Sequence, residues 1–355
     1  MRLEEVNHHP FHSHGVFPFV GEEDALPLDL IVGRYELLSE RGRGRMGVVY
    51  KARDLKLDRF VALKFLPSEW SQDDSARHRF RREARAGSAT YHRNLCTVHD
   101  IDSTADGQLF IVMAHYDGET LKEMLEDGPL GVADALDVAA QIADGLARLH
   151  ACGVVHRDIK PSNLMVANGV VKILDFGVAR LAGEQQLTID GPLAPGTIAY
   201  MAPEQAKGEE ADERSDVWAL GIVLYEMLAG HVPFRGAYPE AVLYAIRHER
   251  VPALRYGRGA IPAAVQKLVR KALDKAPPRR FQSAHELGLE LRRVSDAIRG
   301  SHRKEASVSH DRPADFALPD RQDTRDRRHG CGLRSRGSNP AAARRHQVPV
   351  ERGRR

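Results

Sequence analysis

The stretch of residues 154–177, V-V-H-R-D-I-K-P-S-N-L-M-V-A-N-G-V-V-K-I-L-D-F-G, places three oxygen-bearing side chains around one predicted strand. Residues 170–174 are apolar except for Lys172 and mostly β-branched, which predicts a short strand that returns Asp175 to the neighbourhood of Asp158. Asp158 can accept a proton from an incoming hydroxyl group. Asn163 and Asp175 offer the few oxygen ligands that Mg²⁺ takes from proteins, because this ion keeps several waters and draws other ligands from phosphate. The stretch therefore predicts magnesium-dependent chemistry on a hydroxyl group.

A second pattern, G-x-G-x-x-G, lies at Gly42, Gly44 and Gly47. Alone it is a weak signal, because the same spacing opens the helix of dinucleotide-binding folds. Here β-branched and aromatic residues follow at 48–50, which predicts a second strand and therefore a glycine hairpin. Glycine allows backbone N–H groups to approach phosphate oxygens without a Cβ in the way.

The composition, with 42% hydrophobic and 28% charged residues, is typical of a globular protein. Charge is divided unevenly: the tail from residue 301 holds 14 Lys and Arg against 7 Asp and Glu, so it carries +7 and residues 1–300 carry −4. The predicted folded part thus has no basic bias that would indicate a nucleic-acid-binding domain. Three separated cysteines, Cys96, Cys152 and Cys331, favour a reducing compartment over a disulfide framework or zinc site. With no apolar run of membrane-spanning length and no signal-peptide pattern, we expect a cytoplasmic protein.

H-R-D-I-K-P-S-N followed by D-F-G resembles the catalytic and metal-binding loops of eukaryotic-type protein kinases. The glycine pattern, V-A-L-K at 61–64 and A-P-E at 202–204 extend this resemblance, in the right order, over residues 35–293. The sequence segments G-R-M-G-V-V-Y-K-A and G-T-I-A-Y-M-A-P-E-Q are most similar to those of bacterial Hanks-type serine/threonine kinases.

This resemblance implies an α+β, bilobal protein-kinase-like fold, with a small N-lobe of antiparallel sheet plus one helix and a larger, mainly helical C-lobe. We expect a flexible leader at 1–33 and a kinase domain at 34–298, divided into an N-lobe at 34–116 and a C-lobe at 117–298. Residues 299–355 are Arg-rich and poor in large apolar side chains, which predicts a basic disordered tail.

The resemblance also implies the site. Asp158 would deprotonate the acceptor hydroxyl and Lys160 would neutralise charge on the moving γ-phosphoryl group. Lys64, held by Glu83 on the next predicted helix, would orient the α- and β-phosphates of ATP. Asn163 and Asp175 would bind Mg²⁺. The nucleotide-binding set that the family implies is Gly42, Gly44, Gly47, Val49, Ala62, Lys64, Glu83, Met113, His115, Asn163 and Asp175.

Regulation and partners follow from the same family pattern. Arg157, before the catalytic aspartate, suggests control by a phosphate on the activation loop, for which Thr188 is the expected acceptor because Thr197 has an expected structural task. Glu204 of A-P-E is expected to pair with Arg280. The implied partners are proteins with Ser or Thr acceptors, in signal transduction, with a homodimer as one route to trans-autophosphorylation and no nucleic acid.

Other interpretations stay open. A pseudokinase scaffold would normally lack Lys64, Asp158 or Asp175, and none is missing. A small-molecule phosphotransferase would share the catalytic core but would not need the A-P-E segment. The leader histidines could bind a metal, against a simple mobile leader, and the tail arginines could contact nucleic acid or an acidic membrane, against a solvated tail.

Overall fold

The computed structural model describes residues 30–44, 47–67, 91–174, 198–254 and 261–308, with the backbone alone for 301–308. The leader, the helix predicted at 73–89 with Glu83, the segment 175–197 and the tail beyond 308 lie outside the described residues. The predictions about Asp175, Thr188 and Thr197 therefore concern residues whose structure is not described.

The N-terminal part of the described chain is a six-stranded antiparallel sheet of order β1-β2-β3-β4-β6-β5. Alternating burial along β3 and β4 directs one face into a core built on Tyr35, Leu37, Tyr50, Leu63 and Phe110. The strands are β1 (Ile31–Val32), β2 (Tyr35–Gly44), β3 (Gly47–Asp54), β4 (Arg59–Phe65), β5 (Val98–Ser103) and β6 (Leu109–Ala114).

The second part is mainly helical and holds a small sheet, β7 (Glu119–Thr120), β8 (Leu164–Ala167) and β9 (Val170–Ile173). Its helices are α1 (Leu121–Glu126), α2 (Val132–Ala151), α3 (Glu213–Ala229), α4 (Pro239–His248), α5 (Ala263–Ala272) and α6 (Ala284–Val308). Helix α2, which precedes the predicted catalytic loop, buries apolar residues spaced by three and four positions. The α+β bilobal fold class is confirmed.

Helix α3 is the centre of the helical part, since almost every one of its residues from 215 to 228 is buried. A helix that is apolar on all sides must be surrounded by other elements, and α2 and α5 pack against it. Asp212 caps its start by accepting a hydrogen bond from the Arg214 backbone N–H at 2.8 Å, and Gly230 ends it in a left-handed conformation.

Helix α6 differs from the sequence-based expectation. It continues to Val308, so the segment predicted as a disordered tail from 299 begins inside a helix. The start of the tail at 299 was predicted from composition alone. Residues 299–308 are mostly polar, but they contain no proline that would stop a helix. Among the described residues, no helix is both long and apolar enough to cross a membrane.

Candidate active site

The predicted catalytic loop, between α2 and β8, is held in place by one buried carboxylate on α3. Asp216 is fully buried and accepts hydrogen bonds from the backbone N–H groups of His156 at 2.8 Å and Arg157 at 2.7 Å. Arg157 adopts φ 67°, a left-handed backbone that a non-glycine residue keeps only where its surroundings impose it. The two bonds to Asp216 provide that constraint and fix the loop one residue before Asp158.

Asp158 faces two hydrogen-bond donors from the same loop. Lys160 Nζ lies 2.7 Å from its Oδ2 and 3.0 Å from its Oδ1, and Asn163 Nδ2 lies 3.0 Å from its Oδ2. Asn163 Nδ2 also donates to the Asp158 backbone oxygen at 2.8 Å, so its amide oxygen is directed away from Asp158. A carboxylate, a cation and an amide oxygen therefore lie close together in this loop.

The strand β9 returns the chain to this loop, as the sequence predicts. It ends at Ile173, one residue earlier than predicted. The Leu174 backbone N–H donates to the Asn163 backbone oxygen at 2.8 Å, and the Leu174 oxygen accepts from His156 Nε2 at 3.0 Å. The residue that precedes Asp175 is therefore tied directly to the catalytic loop.

The predicted nucleotide-binding side chains of the sheet share one face. Val49 on β3 is paired with Lys64 on β4, and Ala62 on β4 is paired with Met113 on β6. Residues two apart on a strand point to the same side, so these four side chains line a common surface. Lys64 is 2% exposed, which places its ammonium group in a site that needs compensating charge.

The glycine pattern forms a hairpin in which Gly42 is opposite Val49 and Gly44 is opposite Gly47. At Gly47 the backbone has φ 109°, and an added Cβ would lie 1.8 Å from the Phe65 carbonyl oxygen. Glycine is required there both by conformation and by contact. At Gly42 and Gly44 no atom lies within 4 Å of an added Cβ, so those positions are open on the described side of the hairpin.

We expect Gly47→Ala to destabilise the protein by about 2 kcal/mol or more, because it adds backbone strain and a clash with β4. Gly42→Ala is the matched control, since it has room and no positive φ, and should change stability by about 0.5 kcal/mol or less. Urea unfolding of both variants measures the difference. Equal stability of the two variants would contradict this account of Gly47.

His115, one of the predicted nucleotide-binding residues, directly follows β6 and has a side chain only 8% exposed. Its ring lies 6.4 Å from that of Phe60, over which Lys51 Nζ sits at 4.5 Å. Burial lowers the pKa of His115 and the charge of Lys51 lowers it further, whereas Asp117, 3.6 Å from Nδ1, acts in the opposite direction. The lowered pKa keeps the His115 imidazole neutral at neutral pH.

This lowered pKa predicts a pH dependence. The unfolded histidine, with a pKa of about 6.5, takes up its proton before the folded one as the pH falls, so His115 reduces stability below about pH 6.5. We expect His115→Gln to lose less unfolding free energy than the wild type between about pH 7.5 and pH 5.5. Urea unfolding of both proteins at both pH values tests this. Equal losses of unfolding free energy in the wild type and in His115→Gln would contradict it.

A second network lies at the A-P-E segment. Arg280 and Glu204 form a bidentate pair with both N–O distances at 2.7 Å, and Ser215 Oγ donates to Glu204 Oε1 at 2.7 Å. The ion pair predicted from the sequence is confirmed. Burial would raise the pKa of Glu204, but the hydrogen bonds from Arg280 and Ser215 hold it below the ordinary range.

Two buried contacts near the site had no counterpart in the sequence-based interpretation. One is the support of the predicted catalytic loop by Asp216; the signal available was a charged residue directly before the apolar run of α3. The other joins the Tyr200 hydroxyl to Glu226 Oε2 at 2.7 Å, where burial raises the pKa of both groups. Glu226 is a charge within an apolar run, and such residues are seldom buried without a partner.

Comparison with known proteins shows one family. The protein kinase domain model matches residues 35–288. The serine/threonine-protein kinase PrkC of Bacillus subtilis is 36% identical over 81% of this chain and 44% of its own length. The serine/threonine-protein kinase PknB of Mycolicibacterium smegmatis is 41% identical over 74% of this chain and 43% of its own length.

Among solved structures, a cysteine-to-alanine variant of the PknI kinase domain of Mycobacterium tuberculosis is 27% identical, covers 76% of this chain and 99% of that domain, and aligns with a TM-score of 0.58. The chain spans less than half the length of the two curated relatives described above. The family is nevertheless established by the match over most of the chain. The chain belongs to the protein kinase family, in its bacterial Hanks-type serine/threonine branch.

Proposed function

We propose that this protein is an ATP-dependent serine/threonine kinase that transfers the γ-phosphoryl group of ATP to hydroxyl groups of proteins. The observation that carries the proposal is the cluster at Asp158, whose carboxylate lies within 3.0 Å of both Lys160 Nζ and Asn163 Nδ2. Phosphoryl transfer requires positioned groups and charge neutralisation more than covalent catalysis. The cluster supplies a proton acceptor and a cation side by side.

In this proposal Asp158 accepts the proton of the acceptor hydroxyl as its oxygen bonds to the γ-phosphorus, and the bond from that phosphorus to the bridging oxygen breaks, so that ADP leaves. Lys160, which holds the Asp158 carboxylate in place, neutralises charge on the transferred group. Lys64 contacts the α- and β-phosphates, with Glu83 as its proposed partner. Backbone N–H groups of the hairpin around Gly44 lie over the phosphates, and the hinge backbone at 114–116 binds adenine.

The donor set at the loop fits Mg²⁺. The Asn163 amide donates its N–H groups to Asp158, which leaves its oxygen as a ligand, and Asp175 would supply a carboxylate. Bound Mg²⁺ would neutralise phosphate charge during transfer. Within the chain, the hydrogen bond between Leu174 and Asn163 keeps the two ligand-bearing segments together.

The substrates are proposed to be proteins, because the A-P-E segment that typically supports a peptide platform is built into the core by Glu204 and Arg280. The proposed route of activation is autophosphorylation on Thr188, whose phosphate would interact with Arg157. A transient homodimer would allow this reaction in trans. We propose a role in signal transduction, and a kinase domain at 34–298 between the leader and the tail.

The test is incorporation of label from γ-labelled ATP into the full chain and into a generic basic protein, with Mg²⁺ and with a chelator. We expect magnesium-dependent label recovered as phosphoserine or phosphothreonine. Label only on small alcohols or sugars would favour a small-molecule phosphotransferase. Nucleotide binding without any label would favour a pseudokinase.

A further inference from the structure

Gln205 directly follows the A-P-E segment and begins a short 3₁₀ helix, Gln205–Lys207. Its side-chain amide joins two distant parts of the chain. The Oε1 atom accepts a hydrogen bond from the backbone N–H of Ala202 at 3.0 Å. The Nε2 atom donates to the backbone oxygen of Arg157 at 3.2 Å, 48 residues earlier in the chain. One partner is a donor and the other an acceptor, so both ends of the amide are used.

The oxygen that Gln205 contacts belongs to the peptide bond between Arg157 and Asp158. The N–H of the same peptide unit, on Asp158, donates to His156 Nδ1 at 3.3 Å. One side of this peptide unit is therefore held from within the predicted catalytic loop, and the other side is held by Gln205 from outside it. Because a peptide unit is planar, bonds at both sides fix its orientation and the position of the Asp158 Cα, from which the carboxylate extends.

The backbone of Arg157 needs such a constraint on each side. Its φ of 67° is left-handed, a conformation that a non-glycine residue keeps only where its surroundings impose it. Asp216 accepts the Arg157 N–H at 2.7 Å, which holds the peptide before this residue. Rotation about ψ of Arg157 would still turn the peptide that leads to Asp158. The hydrogen bond from Gln205 to the Arg157 oxygen opposes that rotation.

A simpler role for Gln205 is to cap the turn at the end of the A-P-E segment through Ala202. That role requires only a hydrogen-bond acceptor, which a glutamate would supply equally well. The N–H₂ group of Gln205 has no part in it, because this group is directed to Arg157. The donor half of the amide therefore calls for a second explanation.

We propose that Gln205 is a positioning residue for phosphoryl transfer, which fixes the 157–158 peptide and thereby the direction of the Asp158 carboxylate. The inference rests on the proposed function, in which Asp158 accepts the proton of the acceptor hydroxyl. Through Ala202 the same amide ties this direction to the A-P-E segment. Gln205 acts through the backbone, so its loss should slow transfer and leave nucleotide affinity unchanged. A displacement of reacting groups by about 1 Å can lower a rate about 100-fold.

Two substitutions separate the two halves of the amide. Gln205→Met removes both hydrogen bonds, whereas Gln205→Glu keeps an acceptor for the Ala202 N–H and leaves no donor for Arg157 at neutral pH. Transfer from γ-labelled ATP to a basic protein is measured per nucleotide-binding site, titrated on the same preparation, so that a smaller folded fraction is not counted as slower transfer. We expect kcat to fall roughly 10- to 100-fold in both variants, with an unchanged Kd for nucleotide.

Lys207→Met is the matched control. Lys207 ends the same 3₁₀ helix, and its ammonium group pairs with Glu209 at the surface, 3.6 Å away. This variant should transfer label as the wild type does. Wild-type kcat in Gln205→Glu would overturn the proposal, because it would mean that only the acceptor for Ala202 matters.

Hydrogen–deuterium exchange of the full chain without nucleotide tests the contact independently of activity. The Asp158 amide should exchange roughly tenfold faster in both Gln205 variants, while amides in the centre of α3 exchange as in the wild type. Unchanged exchange at Asp158 would overturn the proposal. A wild type that transfers no label would overturn the proposed function, and exchange at Asp158 would still decide whether Gln205 holds this peptide.

Discussion

Asp158→Asn should reduce phosphate transfer to protein by roughly 10²–10⁴-fold, the usual contribution of a positioned general base. The substitution keeps the size of the side chain but removes its ability to accept a proton near neutral pH. It also replaces one carboxylate oxygen, each of which accepts from Lys160, by an amide N–H₂ that cannot accept. Both changes act on the transfer step, so nucleotide affinity should be nearly unchanged.

The measurement is label transfer from γ-labelled ATP, paired with a direct binding measurement of nucleotide on the same preparations. Asp137→Asn is a matched control, because Asp137 is an exposed residue of α2 whose contact is with Gln141. It should behave as the wild type. If Asp158→Asn retained full transfer, Asp158 could not be the proton acceptor, and if it lost nucleotide binding, its role would be structural.

The parts of the fold that the sequence predicted well are those in which local pattern and burial agree. The spacing of apolar residues in α2 and the β-branched residues of β9 each fit one arrangement that buries the apolar side chains. The pairing of Glu204 with Arg280 was predicted from the family motifs, since 76 residues separate them and no local pattern connects them. Family resemblance thus supplied the long-range contact that periodicity could not.

The support of the catalytic loop shows what sequence reasoning lacked. Asp216 directly precedes the apolar run of α3, and its carboxylate accepts hydrogen bonds from two backbone N–H groups 59 and 60 residues earlier in the chain. Nothing in the sequence of Arg157 indicates its left-handed backbone, because that conformation is imposed by tertiary contacts. Asp216 binds backbone N–H groups, which nearly every residue type has. The residue types at 156 and 157 therefore give no sign of this contact.

Arg280→Ala should lower the free energy of unfolding by about 3–5 kcal/mol, because it leaves the Glu204 carboxylate buried without its partner. The Arg280 side chain is fully buried, and it also donates to the backbone oxygens of Arg214 at 3.0 Å and Asp274 at 2.8 Å. Those oxygens would lose a donor as well. Arg279→Ala is the control, since Arg279 is an exposed neighbour and should have little effect.

The pH dependence of this variant separates a lost ion pair from a simple cavity. In the wild type the lowered pKa of Glu204 stabilises the fold above the unfolded value of about 4.3, and that contribution is lost as the pH falls through the folded pKa. In Arg280→Ala, burial without a partner should raise the pKa of Glu204, so protonation on acidification relieves the penalty. Urea unfolding at about pH 7.5 and pH 5.5 should therefore show a smaller deficit at the lower pH. An equal deficit at both would mean that lost packing against Trp218, 5.1 Å from the guanidinium carbon, dominates instead.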